Sequence, residues 1–148
     1  MEISNYAEEK MKEFEGLRLR AYRCKGGKLT IGWGHTKTAR VGMVINVEEA
    51  QRLFERDVEV AEAQLQREAF WAKLSESQRD ALVSFVFNLG FDDFAGSTLR
   101  RKLVANVEDA TIPDEFRRWV YATVDGKKMI LPGLVTRREW EAQMYADL

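Results

Sequence analysis

Hydrophobic residues recur along this chain with two different periods, one typical of amphipathic helices and the other of short strands. Helical spacing predicts helices at about residues 4–14, 47–68, 75–89, 97–105, 114–122 and 134–146. Residues 15–45 differ, because six of the ten glycines fall among strand-forming residues there. This stretch predicts a small antiparallel sheet, with a tight turn at Gly26-Gly27.

Polar and small residues mark where several of these helices begin and end. Asn46 is placed as an N-cap, and Glu49 follows three residues later, as in a capping box. Ser75 precedes the next helical pattern, and Gly90 can end it. Asp125-Gly126 marks a turn. The predicted organisation is α+β with segregated elements: one short β region, one long helix and a mostly helical C-terminal half.

Composition restricts the class of protein without indicating a function. A length of 148 residues and a mass of 17.1 kDa fit one domain, and 45% hydrophobic with 32% charged residues are ordinary for a soluble globular protein. A single cysteine rules out an internal disulfide, and the single histidine makes a dedicated zinc site unexpected. No apolar run reaches the roughly 18 residues that a membrane span needs, and the polar N-terminus lacks the features of a secretory signal.

Charge is unevenly distributed, although the net charge is only -1. Residues 16–47 contain no Asp or Glu. The same stretch carries these basic residues: Arg18, Arg20, Arg23, Lys25, Lys28, Lys37 and Arg40. A local basic region indicates an anionic partner, and the alternative is a solvated surface balanced by neighbouring acidic helices. Nucleic acid has little support as that partner, because the cluster comes without a recognisable binding motif.

Glu15 is the first residue that could carry chemistry. It lies at the predicted end of the first helix, beside the apolar Phe14 and Leu17 and directly before the basic, glycine-rich region. A carboxyl group buried at such a junction has a raised pKa, which suits a general acid. The alternative is a solvated charge at a helix end.

A longer pattern begins at this glutamate. Cys24 follows Glu15 by nine positions, Thr30 follows Cys24 by six, and an Ile-Gly-x-Gly-His run occupies residues 31–35. This segment resembles the active-site segment of the phage-type lysozymes, glycoside hydrolase family 24, whose commoner members carry Asp where this chain has Cys24. Residues 84–90, 97–99, 116–122 and 133–139 resemble the family's central helix, the loop after it, and the C-terminal segment of the endolysins of lambda-like phages. The resemblance therefore covers nearly the whole chain.

The resemblance implies a lysozyme-like α+β fold with residues 1–148 in a single domain. A small β lobe at about 15–45 would be joined by a helix at about 47–68 to a mainly helical lobe at about 69–148, with the cleft between the lobes. The implied activity is that of an endolysin: a muramidase that hydrolyses the β-1,4 bond between N-acetylmuramic acid and N-acetylglucosamine in bacterial peptidoglycan, for host lysis. Peptidoglycan carries peptide carboxylates, which agrees with a basic lip to the cleft.

The resemblance also sets expectations about partners and location. It implies no metal or cofactor, and we expect a monomer whose partner is peptidoglycan rather than nucleic acid or a membrane. Without a secretory signal, the enzyme would collect in the host bacterial cytoplasm and act on the cell wall after holin-mediated release. That functional need for a holin implies no direct contact with it.

The catalytic roles that the resemblance implies fall on three residues. Glu15 would donate a proton to the leaving oxygen, and Thr30 would orient the attacking water on the opposite face of the sugar. Cys24, flanked by Arg23 and Lys25, would act as a thiolate base for that water or, alternatively, as a nucleophile. A water on the opposite face predicts inversion at the anomeric carbon, and a covalent path predicts retention. A third alternative leaves Cys24 as a small side chain without a chemical role.

The family's cleft suggests where the sugar would be held. Phe87 and Asn88 fall at the end of the central helix, where the Asn88 amide can both donate to and accept from an N-acetyl sugar. Thr136 and Arg137 would meet the substrate from the C-terminal segment, although a solvated helix start is an equal alternative for Arg137. We expect the single histidine, His35, to make a structural hydrogen bond or salt bridge near the cleft rather than to act in catalysis.

Two other functions remain open at this level. A site with a catalytic Glu but no Asp can work as a lytic transglycosylase, in which the 6-hydroxyl of the sugar itself attacks and leaves a 1,6-anhydro end. A catalytically inactive module that only binds peptidoglycan would keep the fold and lose the chemistry.

Overall fold

The chain folds into helices of very different lengths that are interrupted by two β-hairpins. The computed structural model describes residues 1–146. In chain order the elements are α1 (Asn5–Glu15), β1 (Arg18–Arg23), β2 (Leu29–Gly32), α2 (Val47–Gln66), α3 (Glu76–Leu89), α4 (Phe91–Ala95), α5 (Thr98–Ala105), α6 (Ile112–Arg117), β3 (Tyr121–Val124), β4 (Lys127–Ile130) and α7 (Pro132–Ala146). This is the predicted α+β arrangement, with a small sheet near the N-terminus and helices after it.

The N-terminal sheet is an antiparallel hairpin of β1 and β2, and the predicted turn at Gly26-Gly27 is confirmed. Tyr22 lies opposite Thr30 across the hairpin. The sheet is smaller than the 15–45 stretch that the sequence predicts. Residues 33–45 add only isolated bridges, because the chain turns repeatedly there instead of running straight.

The helix α2 joins the sheet to the helical part of the protein. Its N-terminus has the predicted capping box, in which Asn46 accepts from the backbone of Glu49 at 2.8 Å. Its first turn places Ala50 in a small apolar cluster with residues of the β region, and Phe54 and Val58 on the next turns belong to the main core. One helix therefore contributes to both apolar clusters, as expected for a connecting helix.

The main core surrounds α3, where every residue from Asp80 to Val86 is buried. Phe85 makes edge-on contacts with Phe94, Phe116 and Trp119, whose ring centroids lie 5.3–6.3 Å away. Such contacts between elements far apart in sequence hold α4, α6 and the start of the second hairpin on one central helix. Gly90 ends α3 as predicted.

The predicted helix at 114–122 is wrong over its second half. α6 ends at Arg117, and β3 begins at Tyr121 and pairs with β4. The turn between these strands is the predicted Asp125-Gly126, and both residues have positive φ angles, 51° and 77°. A two-residue turn of this kind matches the twist of a hairpin, and the neighbouring Tyr, Thr and Val favour strands. This local signal outweighs the helical spacing.

The short helix α4 and a 3₁₀ turn at Trp71–Lys73 were also not predicted.

Two buried carboxylates fasten the start of the chain to the helices. Glu62 accepts from the backbone amides of Glu2 and Ile3 at 2.6 and 2.9 Å. Asp80 accepts from the amide and hydroxyl of Ser4, the N-cap of α1, at 3.1 and 2.6 Å. Burial raises the pKa of both carboxyl groups above their ordinary values, against the opposing effect of these hydrogen bonds.

The raised pKa of Asp80 predicts a pH-dependent stability. Between the ordinary value of 3.8 and its raised value, the unfolded chain ionises Asp80 more readily than the folded chain does, so its contribution to the free energy of unfolding falls as the pH rises. Asp80→Asn cannot titrate. We therefore expect the stability difference between wild type and this variant to shrink from acidic to neutral pH in denaturant unfolding. The exposed Asp93→Asn is the control, and a difference that grows with pH would contradict the assignment.

Candidate active site

Glu15 lies where α1, the loop after β2 and α7 meet. It is the last residue of α1, and Gly16 ends the helix with a φ of 70°. Its side chain is 16% exposed, and its Oε2 accepts from Nη1 of Arg137 on α7. The predicted acid is thus a largely buried carboxyl group with one oxygen held by a guanidinium.

The other side of the Glu15 carboxyl is closed by the backbone of Gly34. Gly34 has a φ of 79°, and a Cβ built there would lie 2.8 Å from the Glu15 carboxyl carbon and would collide with Oε1. A side chain here would force the Glu15 carboxyl to shift, so glycine lets the loop approach the carboxyl in its observed position. The close contact with Glu15 therefore explains why the second glycine of the Gly-x-Gly-His motif is a glycine.

Arg137 is engaged within the protein rather than extended towards solvent. It is 3% exposed, and besides Glu15 it contacts Ser84 of α3, through Nη2 to the carbonyl oxygen at 3.2 Å and through Nε to the hydroxyl at 3.3 Å. Its guanidinium carbon lies 5.4 Å from the ring centroid of Phe14 and 5.9 Å from that of Phe87. The guanidinium of this predicted substrate contact is thus occupied by Glu15 and Ser84.

A second buried arginine continues the network from Arg137 to the predicted sugar contact. Glu141 is completely buried and accepts from both Arg137 and Arg138. Arg138 also donates to the Oδ1 atom of Asn88 and, at 2.9 Å, to the carbonyl oxygen of Trp119. Burial lowers the pKa of Arg138 from its ordinary value, although Glu141 acts in the opposite direction. Asn88 is therefore oriented by a chain of charged hydrogen bonds that leads back to Glu15.

Cys24 and Thr30 are tied to the same peptide oxygen of the β hairpin. The carbonyl oxygen of Lys28 accepts from the amide of Cys24 at 3.0 Å and from the hydroxyl of Thr30 at 2.9 Å. Thr30 is buried and Cys24 is half-buried. Of the two flanking cations, Arg23 donates to the carbonyl oxygen of Gly27 at 3.1 Å. The hairpin turn thus fixes the backbone of Cys24 and the hydroxyl of Thr30 together.

Tyr22 lies close enough to both Glu15 and Cys24 to be influenced by their charges. Burial raises the pKa of Tyr22; the nearby Arg18 lowers it, and the charges of Cys24 and Glu15 each raise it. Both predicted groups therefore lie within electrostatic range of one phenol. Sequence reasoning missed Tyr22, although it lies two positions before Cys24, the spacing that places strand residues on one face.

A cleft of about 300 Å³ opens beside the loop after β2. Its walls come from the loop after β2, from α2 and from the end of α3, and they include Gly34, Asp57 and Phe87. Gly34, which approaches Glu15, lines the cleft, and Phe87 is the predicted site residue in its wall. A larger cavity of about 760 Å³, lined by parts of α5, α6 and the second hairpin, contains none of the predicted site residues.

The remaining predicted residues take different positions. Thr136 lies exposed in the first turn of α7, where its hydroxyl donates to the carbonyl oxygen of Pro132 at 3.2 Å. His35 is 3% exposed, with Nδ1 2.8 Å from Asp57 and Nε2 2.7 Å from the hydroxyl of Thr38. Both ring nitrogens are occupied by protein partners, which is the hydrogen bonding expected of His35.

Two further observations concern residues 1–146 only. No group of three or more His, Cys, Asp and Glu side chains in this range is arranged to hold a metal ion. No helix in the same range combines the length and apolar character needed to cross a membrane.

Comparisons with known proteins agree with this geometry. The family model described as phage lysozyme matches residues 12–141. An endolysin from Acyrthosiphon pisum secondary endosymbiont phage 1 is 40% identical, over 98% of this chain and 98% of that protein. The solved endolysin from Escherichia coli O157:H7 phage FAHEc1 superposes with a TM-score of 0.85 at 33% identity, over 99% of this chain and 94% of the other. The muramidase domain of SpmX from Asticaccaulis excentricus gives a TM-score of 0.80 at 31% identity, over 97% of both chains.

The fold and these similarities define a glycoside hydrolase of the lysozyme type. Within that class, the chain belongs to the phage lysozyme family.

The close approach of Gly34 to Glu15 predicts the effect of an added methyl group. Gly34→Ala forces the Glu15 carboxyl to move, and a displacement of this kind costs activity by about a hundredfold. Gly42→Ala is the matched control, because Gly42 has the same φ of 79° but open space around a Cβ. Both variants should lose roughly 1–2 kcal/mol of stability from the backbone strain. We expect only Gly34→Ala to lose lytic activity on cell walls, and an equal loss in both variants would contradict the steric role.

Proposed function

We propose that this protein is an endolysin that hydrolyses the β-1,4 bond between N-acetylmuramic acid and N-acetylglucosamine in bacterial peptidoglycan. The observation that carries the proposal is the placement of Glu15: a largely buried carboxyl with one oxygen held by Arg137 and the other against Gly34, which lines a cleft. Membership of the phage lysozyme family supports the same reaction.

Glu15 would act as the general acid. Arg137 holds Oε2, which leaves Oε1, on the side of the cleft-lining Gly34, as the oxygen that carries the proton. This proton passes to the glycosidic oxygen as the bond to the anomeric carbon breaks. Arg137 would act by holding Glu15 rather than by contacting the sugar.

Cys24 and Thr30 would act on the attacking water. The Thr30 hydroxyl donates to the Lys28 carbonyl oxygen, so its lone pairs remain to accept one hydrogen of the water. The Cys24 thiolate takes the other proton while the water oxygen bonds to the anomeric carbon. Glu15 then ends ionised and Cys24 protonated, and the anomeric carbon is inverted.

Substrate binding would use the cleft wall and the basic surface. Phe87 lines the cleft, and the Oδ1 atom of Asn88 is occupied by Arg138, which leaves the amide NH₂ to donate to an N-acetyl carbonyl. The hydroxyl of Thr136 is exposed on α7 for a further contact. All seven basic side chains of residues 16–47 are exposed, which supports attraction of the anionic wall polymer.

We further propose that residues 1–148 work as one lysozyme-like domain and as a monomer, with the cleft between the β hairpin and the helices. The enzyme would accumulate in the host cytoplasm and reach the wall after a holin opens the inner membrane. The replacement of the commoner Asp by Cys24 keeps a lytic transglycosylase as the second candidate.

Mass spectrometry of digested peptidoglycan tests the reaction and the acid together. We expect soluble muropeptides that have gained one water, and no product with Glu15→Gln, because the amide cannot donate the proton. Glu13→Gln on the exposed side of α1 should retain full activity. Anhydro products would identify a transglycosylase, and binding without soluble product would leave a wall-binding module.

Substitutions of Cys24 test the thiolate. Cys24→Asp should retain activity, because a carboxylate can accept the same proton. Cys24→Ser should lose most of it, since a hydroxyl is not ionised near neutral pH. Rates on cell walls should be compared at equal folded concentration, checked by unfolding. Full activity of Cys24→Ser would exclude the thiolate from the mechanism.

A further inference from the structure

The charged cluster behind Glu15 contains a carboxylate to which the reaction above gives no role. Glu141 of α7 is completely buried, and both of its oxygens are engaged. Oε1 accepts from Arg138, and Oε2 accepts from the hydroxyl of Ser84 at 2.5 Å and from Nε of Arg137 at 3.4 Å. A buried carboxylate with this many fixed donors is held in one position.

Arg137 is shared between two carboxylates. Its Nη1 donates to Glu15 and its Nε to Glu141, so one guanidinium bridges the predicted acid and the buried glutamate. With Arg138, the cluster contains two cations and two carboxylates. The formal charges balance while both carboxylates are ionised, and with Glu15 protonated an ionised Glu141 leaves one net positive charge instead of two.

Sharing of Arg137 matters because a general acid must hold a proton before it can donate one. A guanidinium bonded to a carboxylate favours its ionised form, and the effect is large where water is excluded. Arg137 on α7 acts on Glu15 through a hydrogen bond, and Arg138 on α7 and Tyr22 on β1 interact with its charge. Glu141 on α7 reaches Glu15 through Arg137. Ser84 of α3 is neutral, and Gly34 contributes only backbone.

We propose that Glu141 is a positioning residue for Glu15. By sharing Arg137, Glu141 offsets the positive charge beside Glu15 and keeps Glu15 able to hold its proton. Through Arg138, Glu141 also fixes the amide of Asn88. The proposal rests on the role of Glu15 given above. Glu141 acts only through the two arginines, since the contacts of its carboxylate are to Arg137, Arg138 and Ser84.

Titration of Glu15 by carbon NMR of the labelled glutamate carboxyls is the direct test, with Glu15→Gln to identify the signal. We expect Glu141→Gln to lower the midpoint of Glu15 by roughly one pH unit, because Arg137 is then left uncompensated. The same variant should lose about tenfold in kcat at a pH above the midpoint, with KM little changed. Glu141→Asp retains the charge and should restore most of the midpoint.

Glu139→Gln is the matched control. Glu139 lies on the same helix but is half-exposed and pairs with Arg117, so its loss should leave the Glu15 midpoint and kcat unchanged. An unchanged Glu15 midpoint in folded Glu141→Gln would overturn the proposal.

A charge-balanced double variant keeps the test decisive if Glu141→Gln does not fold. Glu141→Gln with Arg138→Gln removes one charge of each sign. The proposal expects the Glu15 midpoint to fall, because Arg137 then has Glu15 as its only carboxylate. If Glu141 has no influence on Glu15, the loss of the Arg138 charge alone raises the midpoint, which would overturn the proposal.

Different results would contradict the role of Glu15 as the acid and the role of Glu141. Retained hydrolysis by Glu15→Gln would remove Glu15 as the acid, whatever its titration. An inactive Glu15→Gln with an unmoved midpoint in Glu141→Gln would remove only the role of Glu141.

Discussion

The buried guanidinium of Arg137 is the interaction on which the rest of the site depends. It joins Glu15, at the end of the first helix, to a position 122 residues later in the chain, and it holds α3 through Ser84. Burying such a charge is costly unless each donor finds a partner. The three helices α1, α3 and α7 must therefore meet at one point, and their apolar faces supply the free energy that makes this meeting stable.

The loop that follows the β hairpin packs against Glu15 on the side opposite Arg137. This loop approaches Glu15 closely at Gly34, which has no side chain to displace the carboxyl, and the turn of the hairpin holds Cys24 and Thr30 on a shared peptide oxygen. The helix α2 keeps this hairpin at a fixed place, since Ala50 and Phe54 belong to different apolar clusters. The cleft is bounded by α2, the end of α3 and the loop after β2, and Gly34 is the residue at which that loop approaches Glu15.

Local signals in the sequence predicted much of this fold. The capping box at Asn46, the helix end at Gly90 and the turn at Gly26-Gly27 depend on neighbouring residues alone, and each was confirmed. The second hairpin was missed because helical spacing at 114–122 was given more weight than the strand-forming residues beside Asp125-Gly126.

The candidate site was predictable only in part. A recurring motif indicates Glu15, Cys24 and Thr30, but no local pattern indicates that Arg137 is buried against Glu15, since that contact spans almost the entire chain. Glu141 carries a weak signal, because it lies four residues after Arg137, a spacing that pairs charges on a helix. Its burial follows from packing against α3, which sequence spacing does not report.

The long separation between Glu15 and Arg137 has a consequence for the order in which the protein becomes active during synthesis. Glu15 is synthesised next to the β hairpin, whereas Arg137 follows only 122 residues later, together with Glu141. A nascent chain that stops before α7 therefore has Glu15 without the guanidinium that holds it, and α3 lacks the partner that contacts Ser84. The hydrogen bond that holds Glu15 can therefore form only once α7 has been synthesised.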